Sequence, residues 1–269
     1  MTKLIGTGLL TLSIFVLASA QSSVERFRYQ PEKIVVGTTY HYLKTNIDGT
    51  NPEHVSLYVA AKDRIEAFKF HPGQSPAALV IAEIDWSTFS TKRLESWRVS
   101  TDGNKQLFAT LKYSGAEKAA LVEIPSLGRS AEKVAISHLP FHVYNFDLAS
   151  LNFAFRHLID PETGFTIGIA DPAFEQQGPI FKYRGEAEVS YVGYEPRLNI
   201  PCRKYKIDGA GLENKGGFIW VDKGDGSIVD MEIALPDNPD WQSFKLRLKR
   251  VQMLDRKGWE SFMKMELQK

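Results

Sequence analysis

The sequence predicts a mostly-β protein: an antiparallel meander with a short C-terminal α-helix. Three observations predict it. Short runs of alternating apolar and polar residues recur along most of the chain, with turn residues between them. The stretch 181–254 reads as four or five consecutive strands, each with one apolar and one wet face. Only the closing stretch, 255–269, changes to helical spacing.

The N-terminus reads as a targeting segment. Lys3 supplies a positive start, residues 9–17 an apolar core, and Ala18-Ser19-Ala20 a small-x-small cleavage pattern. A signal peptide is therefore expected over 1–20, ahead of a single mostly-β domain over 21–269. The apolar core is too short to span a bilayer comfortably, so no integral anchor is expected after cleavage. The expected location is the periplasm or the medium. No cysteine follows the leader, which excludes lipid attachment there, and Cys202 is the single cysteine, which excludes an internal disulfide. No Asn-x-Ser/Thr acceptor occurs, in keeping with bacterial export.

Charge bounds the partners. The chain has 33 Lys+Arg and 32 Asp+Glu, so loss of Lys3 leaves 32 against 32. A neutral protein lacks the concentrated basic surface that phosphate backbones require, and nucleic acid is not expected as a partner.

Residues 22–37 read as an irregular lead-in. Strand signals follow at 39–45, 54–61, 64–70, 78–86, 93–100 and 106–113, with turns at Asp48-Gly49, His71-Pro72-Gly73 and Asp102-Gly103. The middle is different. From Val134 to Phe155 the only formal charge is Asp147, and Phe141, Tyr144, Phe146, Phe153 and Phe155 crowd together. Such a segment is a buried connection, a lid or the lining of a pocket. Another strand is expected at 165–170.

In 181–191, Phe181, Tyr183, Ala187, Val189 and Tyr191 share one face, and Lys182, Arg184, Glu186, Glu188 and Ser190 the other. Gly224-Asp225-Gly226 marks a tight hairpin, and residues 236–240 the next reversal. Asp230 and Glu232 can then face the basic row Lys245, Arg247 and Lys249 of a neighbouring strand. Trp259, Phe262, Met263 and Leu267 give the closing helix one apolar face; its polar side is mixed in sign, which fits packing on the sheet rather than on a membrane.

Candidate chemistry is sparse. His138 and His142, followed by Asn145 and Asp147, are the best polar group in an apolar setting. Two imidazoles and a carboxylate suit a metal or acid–base catalysis. Pro140 keeps the histidines off a shared helix face, and in a strand they lie roughly 13 Å apart, so neither metal nor cofactor is expected. Gly209-Ala210-Gly211 precedes a strand rather than a helix and is no dinucleotide site. No Walker loop, His-Glu-x-x-His, Gly-x-Ser-x-Gly or Cys-x-x-Cys occurs. Asp171 and Glu175, beside a proline turn, read as solvated; Cys202 reads as an inert thiol.

The run Gly216-Gly217-Phe218-Ile219-Trp220-Val221-Asp222-Lys223, with Gly226, Ile228, Glu232 and the strand at 244–251, resembles the closing meander of bacterial outer-membrane lipoprotein-sorting proteins. It is similar also to uncharacterised exported β-sheet proteins. The resemblance covers the last quarter of the chain, with Trp220 and Asp222 at the matching positions. It implies a large curved antiparallel sheet, an open half-barrel or barrel-like meander, with an apolar concave face for acyl chains, and no catalysis. The chain lacks the helical segment that those proteins carry after the leader, so only the sheet architecture carries over.

Together these readings point to an exported, non-catalytic binding or carrier protein in the bacterial envelope. The expected partner is a lipid or other amphiphile, or a lipidated protein. The expected lining is Phe146, Phe153, Tyr183, Tyr191 and Trp220, between the aromatic segment and the closing meander. The alternatives are a hydrolase-like enzyme using His138, His142 and Asp147, and an envelope interaction protein with no small ligand.

Overall fold

Alternating side chains give two long runs of antiparallel strands. The computed structural model describes residues 22–173 and 178–269, so the signal peptide expected over 1–20 lies outside the described residues. After 3-10 turns at Val24–Arg26 and Pro31–Lys33 come β1 (Thr38–Thr45), β2 (Glu53–Ala61), β3 (Arg64–Phe70) and β4 (Ala77–Asp85). They are followed by β5 (Ser90–Val99), β6 (Lys105–Ser114), β7 (Ala119–Glu123) and β8 (Glu132–Ala135). The second run holds β9 (Phe141–Val143), β10 (Phe165–Pro172), β11 (Phe181–Tyr194) and β12 (Cys202–Asp208). It ends with β13 (Gly217–Asp222), β14 (Ile228–Ile233) and β15 (Phe244–Met253).

All fifteen strands form one sheet, ordered β8-β7-β6-β5-β4-β3-β2-β1-β15-β14-β13-β12-β11-β10-β9. Pairing of the first strand with the last, Thr38 opposite Met253 through Thr45 opposite Lys245, splices the two runs. Neighbours are antiparallel except β9 and β10, which are parallel. Register shifts interrupt seven of the fourteen pairings, and such bulges bend a sheet. The result is a barrel-like curve that does not close by a ladder. Side chains join the seam instead: Phe141 N–H donates to Ser90 Oγ at 2.9 Å, and Ile180 N–H to Glu132 Oε2 at 2.7 Å.

The aromatic middle segment fills the interior. From β9 it passes through a 3-10 turn (Tyr144–Phe146), a helix α1 (Ala149–Ala154) and a second 3-10 turn (Phe155–His157). Every residue of α1 is buried. Asp147 and Leu148 take left-handed conformations, φ 52° and 49°, where the chain turns into the helix. Asn152 ties the plug to the sheet. Its amide donates to Tyr42 Oη at 2.9 Å, its oxygen accepts from Ile228 N–H at 2.8 Å, and Tyr42 in turn donates to Ile228 O. Nearly uncharged sequence is what such a position demands, because an unpaired polar group there costs several kcal/mol (about 2–7).

The closing helix α2 (Arg256–Glu266) packs on the outside of the sheet. Asp255 caps it, its carboxylate accepting from Gly258 N–H at 2.7 Å. Trp259, Phe262 and Met263 cover Tyr58, Phe68, Phe70, Leu79 and Val99 on the outer face, while Val55, Leu57, Ile65 and Ala67 face inward. Strands β2–β4 are therefore buried on both sides. The paired rows of β14 and β15 form as expected, Arg247 to Asp230 at 3.0 Å and Lys245 to Glu232 at 2.8 Å, with Arg197 bridging both acids. Among the described residues no helix is long and apolar enough to cross a membrane.

Candidate functional site

The two halves of the sheet do not fill the space between them at the seam. One wall of the remaining recess is Val80 on β4, Leu94 on β5, Ala109 and Leu111 on β6, and Val122 on β7. The other is Val143 on β9, Phe146 on the plug, Pro172 on β10 and Phe181 on β11. Ser96, Thr110 and Asn145 supply its few polar groups, and its volume is about 90 Å³. Few polar groups in an apolar concavity is the usual make-up of a small-ligand site. Strand parity places the lining: Leu111 and Tyr113 belong to the interior cluster, so Ala109 on the same strand points the same way.

Of the five aromatic residues expected to line a ligand site, only Phe146 borders this recess. Phe153 is fully buried in the filled core, beneath Arg156, whose guanidinium lies 4.5 Å from its ring centre. Tyr183 and Tyr191 are half-buried on the interior side, Tyr191 against Tyr194 and Tyr205. Trp220 requires a correction: it lies on the outer face with Cys202 and Val229, away from the plug. Ile219 and Val221 take the inward positions of β13. All three residues are apolar, so alternation does not announce which parity is buried. Trp220 Nε1 donates to Glu195 at 2.9 Å, and Arg197 stacks 4.2 Å above its ring. Asp222, the other matching position, braces the hairpin by accepting from Gly224 N–H at 2.6 Å.

The structure does not bring His138, His142 and Asp147 together, and it contains no cluster of three metal-type ligands among the described residues. His138 Nε2 donates to Thr166 O at 3.2 Å, and its Nδ1 lies 3.6 Å from Glu186. His142 is fully enclosed and shares a 2.7 Å hydrogen bond with Ser150 Oγ; burial drives its pKa down to about 3, so it stays neutral. Asp147 faces two lysines instead, Lys69 Nζ at 2.7 Å and Lys44 Nζ at 3.5 Å. Lys44 also pairs with Asp237 at 2.6 Å and Glu53 at 3.5 Å. Burial pushes the Lys44 pKa down, but Asp237, Asp147 and Glu53 outweigh it and hold the ammonium above its ordinary range.

Two further groups are candidates for chemistry in the sequence. Asp171 is buried rather than solvated, accepting from Asn145 N–H at 2.8 Å and from Arg184 at 3.0 Å. Burial raises its pKa to about 7 against the pull of those two donors. The Cys202 thiol is buried too, and burial pushes its pKa up to about 11, which leaves no thiolate at neutral pH.

No family's sequence profile matches the chain, and no curated protein matches it. Solved structures do. The chain is similar to a β-barrel-like protein of a domain of unknown function, DUF1849, from Brucella abortus. Identity is 10%, the TM-score is 0.45, and the match covers 82% of this chain and 98% of that one. It is similar to a "putative exported protein with YmcC-like fold" from Bacteroides fragilis, at 13% identity and a TM-score of 0.27, over 81% and 96% of the two chains. It is similar also to a "putative outer membrane lipoprotein-sorting protein domain" from Vibrio parahaemolyticus, at 9% identity and a TM-score of 0.24, over 84% and 91%. The kind of protein that the closing meander resembles is thus among the structural neighbours. These likenesses are remote.

Proposed function

We propose that the protein is exported and binds, without catalysis, one apolar group in the recess between β4–β7 and β9–β11. The group is the end of an acyl chain, on a free amphiphile or on a lipidated partner. The observation that supports this reading is the recess itself, an apolar hollow left where the interior is otherwise filled. The size of the hollow argues for part of a chain. A dry cavity of about 150 Å³ takes a molecule such as benzene, and this one is about 90 Å³. Each methylene sunk there contributes about 0.8 kcal/mol. A few methylenes therefore contribute roughly 2–3 kcal/mol, short of the about 4 kcal/mol of millimolar binding, so measurable affinity draws on contacts outside the recess. A hydrolase built on His138, His142 and Asp147 finds no such support, because each of the three is committed to a different partner.

Native mass spectrometry of protein recovered from the envelope, before and after lipid extraction, tests the proposal. An adduct of amphiphile mass that extraction removes is the expected result. Protein that carries none, and takes up none from added fatty acid, is an interaction protein without a small ligand.

A further inference from the structure

A second cavity, of about 320 Å³, opens where the 224–226 hairpin meets the plug. Lys33, Arg156, Arg203 and Lys223 border it, against Asp225 as its one carboxylate; Val35, Phe155, Leu158 and Pro161 supply apolar wall. The acid's acceptors are already engaged. Oδ1 accepts from Ser227 N–H and Oγ, and Oδ2 from Tyr40 Oη at 3.3 Å.

Arg156 is the unusual member. It is buried, it makes no ion pair with any carboxylate among the described residues, and its Nε and Nη2 have no hydrogen-bond partner. Its guanidinium lies over the rings of Phe153 and Tyr40, at 4.5 and 4.9 Å. The other buried cations, Lys44 and Lys69, are matched by Asp147, Asp237 and Glu53. A buried cation without an anion is costly, and an anion in the adjoining cavity offsets that cost. The charge is set there firmly. Lys33 Nζ donates to Arg156 O at 2.9 Å, and the hairpin closes so tightly over Arg156 that a Cβ on Gly226 would meet its Cα and Cγ at 3.0 Å. Gly226 also has φ +75°, which glycine takes without strain. The neighbouring imidazole of His157 registers the positive field: burial, then Arg156 and Lys33, lower its pKa to about 4.

We infer that this cavity is an anion site for a phosphate group, free or carried on the headgroup of an amphiphile. Arg156 supplies buried positive charge. Arg203, Lys33 and Lys223, which border the cavity, supply the direct contacts. The apolar wall accommodates the organic part of the ligand.

The test uses the full mature chain. Inorganic phosphate is titrated by calorimetry, and binding to vesicles of phosphatidylcholine is compared with binding to vesicles that also contain phosphatidylglycerol. Both are repeated with the double variant Arg203→Gln, Lys223→Gln, whose side chains sit at the rim, and with Arg156→Gln. Saturable phosphate binding that weakens at least about ten-fold in the double variant is expected, the loss that charge-assisted hydrogen bonds predict. Selective binding to the anionic vesicles with the same loss assigns the phosphate to a lipid headgroup. No saturable binding of either probe, or binding unchanged in a folded double variant, overturns the inference. This cavity and the apolar recess share no lining residue, so Ala109→Trp leaves phosphate binding intact and the two readings fail separately.

Discussion

Lys44 carries its charge into the interior because Asp237, Asp147 and Glu53 meet it there. Removing one partner of a buried pair strands the others. Lys44→Met is therefore expected to cost about 3–5 kcal/mol of stability, and Lys44→Met with Asp237→Leu considerably less. Denaturant unfolding of Lys44→Met, Asp237→Leu and the double variant measures this; additive losses would mean that the pair is not coupled. His142 acts through protons. Its unfolded imidazole titrates near 6.5 and the buried one near 3, so its contribution is fully present above pH 6.5 and is lost as pH falls toward 3. About 2 kcal/mol is lost by pH 5 from this residue. His41 and His157, each lowered to about 4, act in the same sense. Asp171 acts oppositely: with its pKa raised to about 7, its contribution is present below the usual carboxylate range and is lost as pH rises through 7. Urea unfolding at pH 7 and pH 5 should show a drop that is smaller in His142→Gln; an unchanged drop would mean that this imidazole is not buried neutral. At this scale the sequence was partly legible. The lone charge of Asp147 in an uncharged run stands out, but proximity in sequence groups it with His138 and His142; its partners Lys44 and Lys69 lie far away in the chain, and no local pattern pairs them with it.

The elements were more legible than the residues. The opposed rows of β14 and β15 were readable from alternation, acids on one strand against bases on the next, and β3 was readable at Arg64–Phe70 although both of its faces are buried. Four elements escaped for physical reasons. β7, β8 and β9 are only 5, 4 and 3 residues long, too short to show a period, and α1 is buried all round and so has no polar stripe. The plug that contains α1 answers whether the aromatic segment is cover or core: it is core, and Asn152 is its latch. Asn152→Leu should leave Ile228 N–H and the Tyr42 hydroxyl short of partners and cost about 2–3 kcal/mol. The midpoint of thermal unfolding tests this. A variant as stable as the parent would mean that the latch carries nothing.

At the scale of the whole molecule, strand count and turn spacing predicted an antiparallel meander, its curvature came from the resemblance of the closing strands, and the splice of β1 to β15 completes the sheet. The recess was not predictable. It arises where residues from 80 to 181 converge across the seam, and neither wall alone has a sequence signature. Its position, between β4–β7 and β9–β11 rather than between the plug and the closing meander, follows from how thoroughly the plug packs the meander. Saturable binding of a fluorescent fatty-acid analogue to the protein, and to Ala109→Trp, which fills the recess, tests the carrier reading most directly. Binding to the parent at one site per chain, displaced by unlabelled fatty acid and lost in the folded tryptophan variant, is the predicted result. No saturable binding, or equal binding to both proteins, would contradict it.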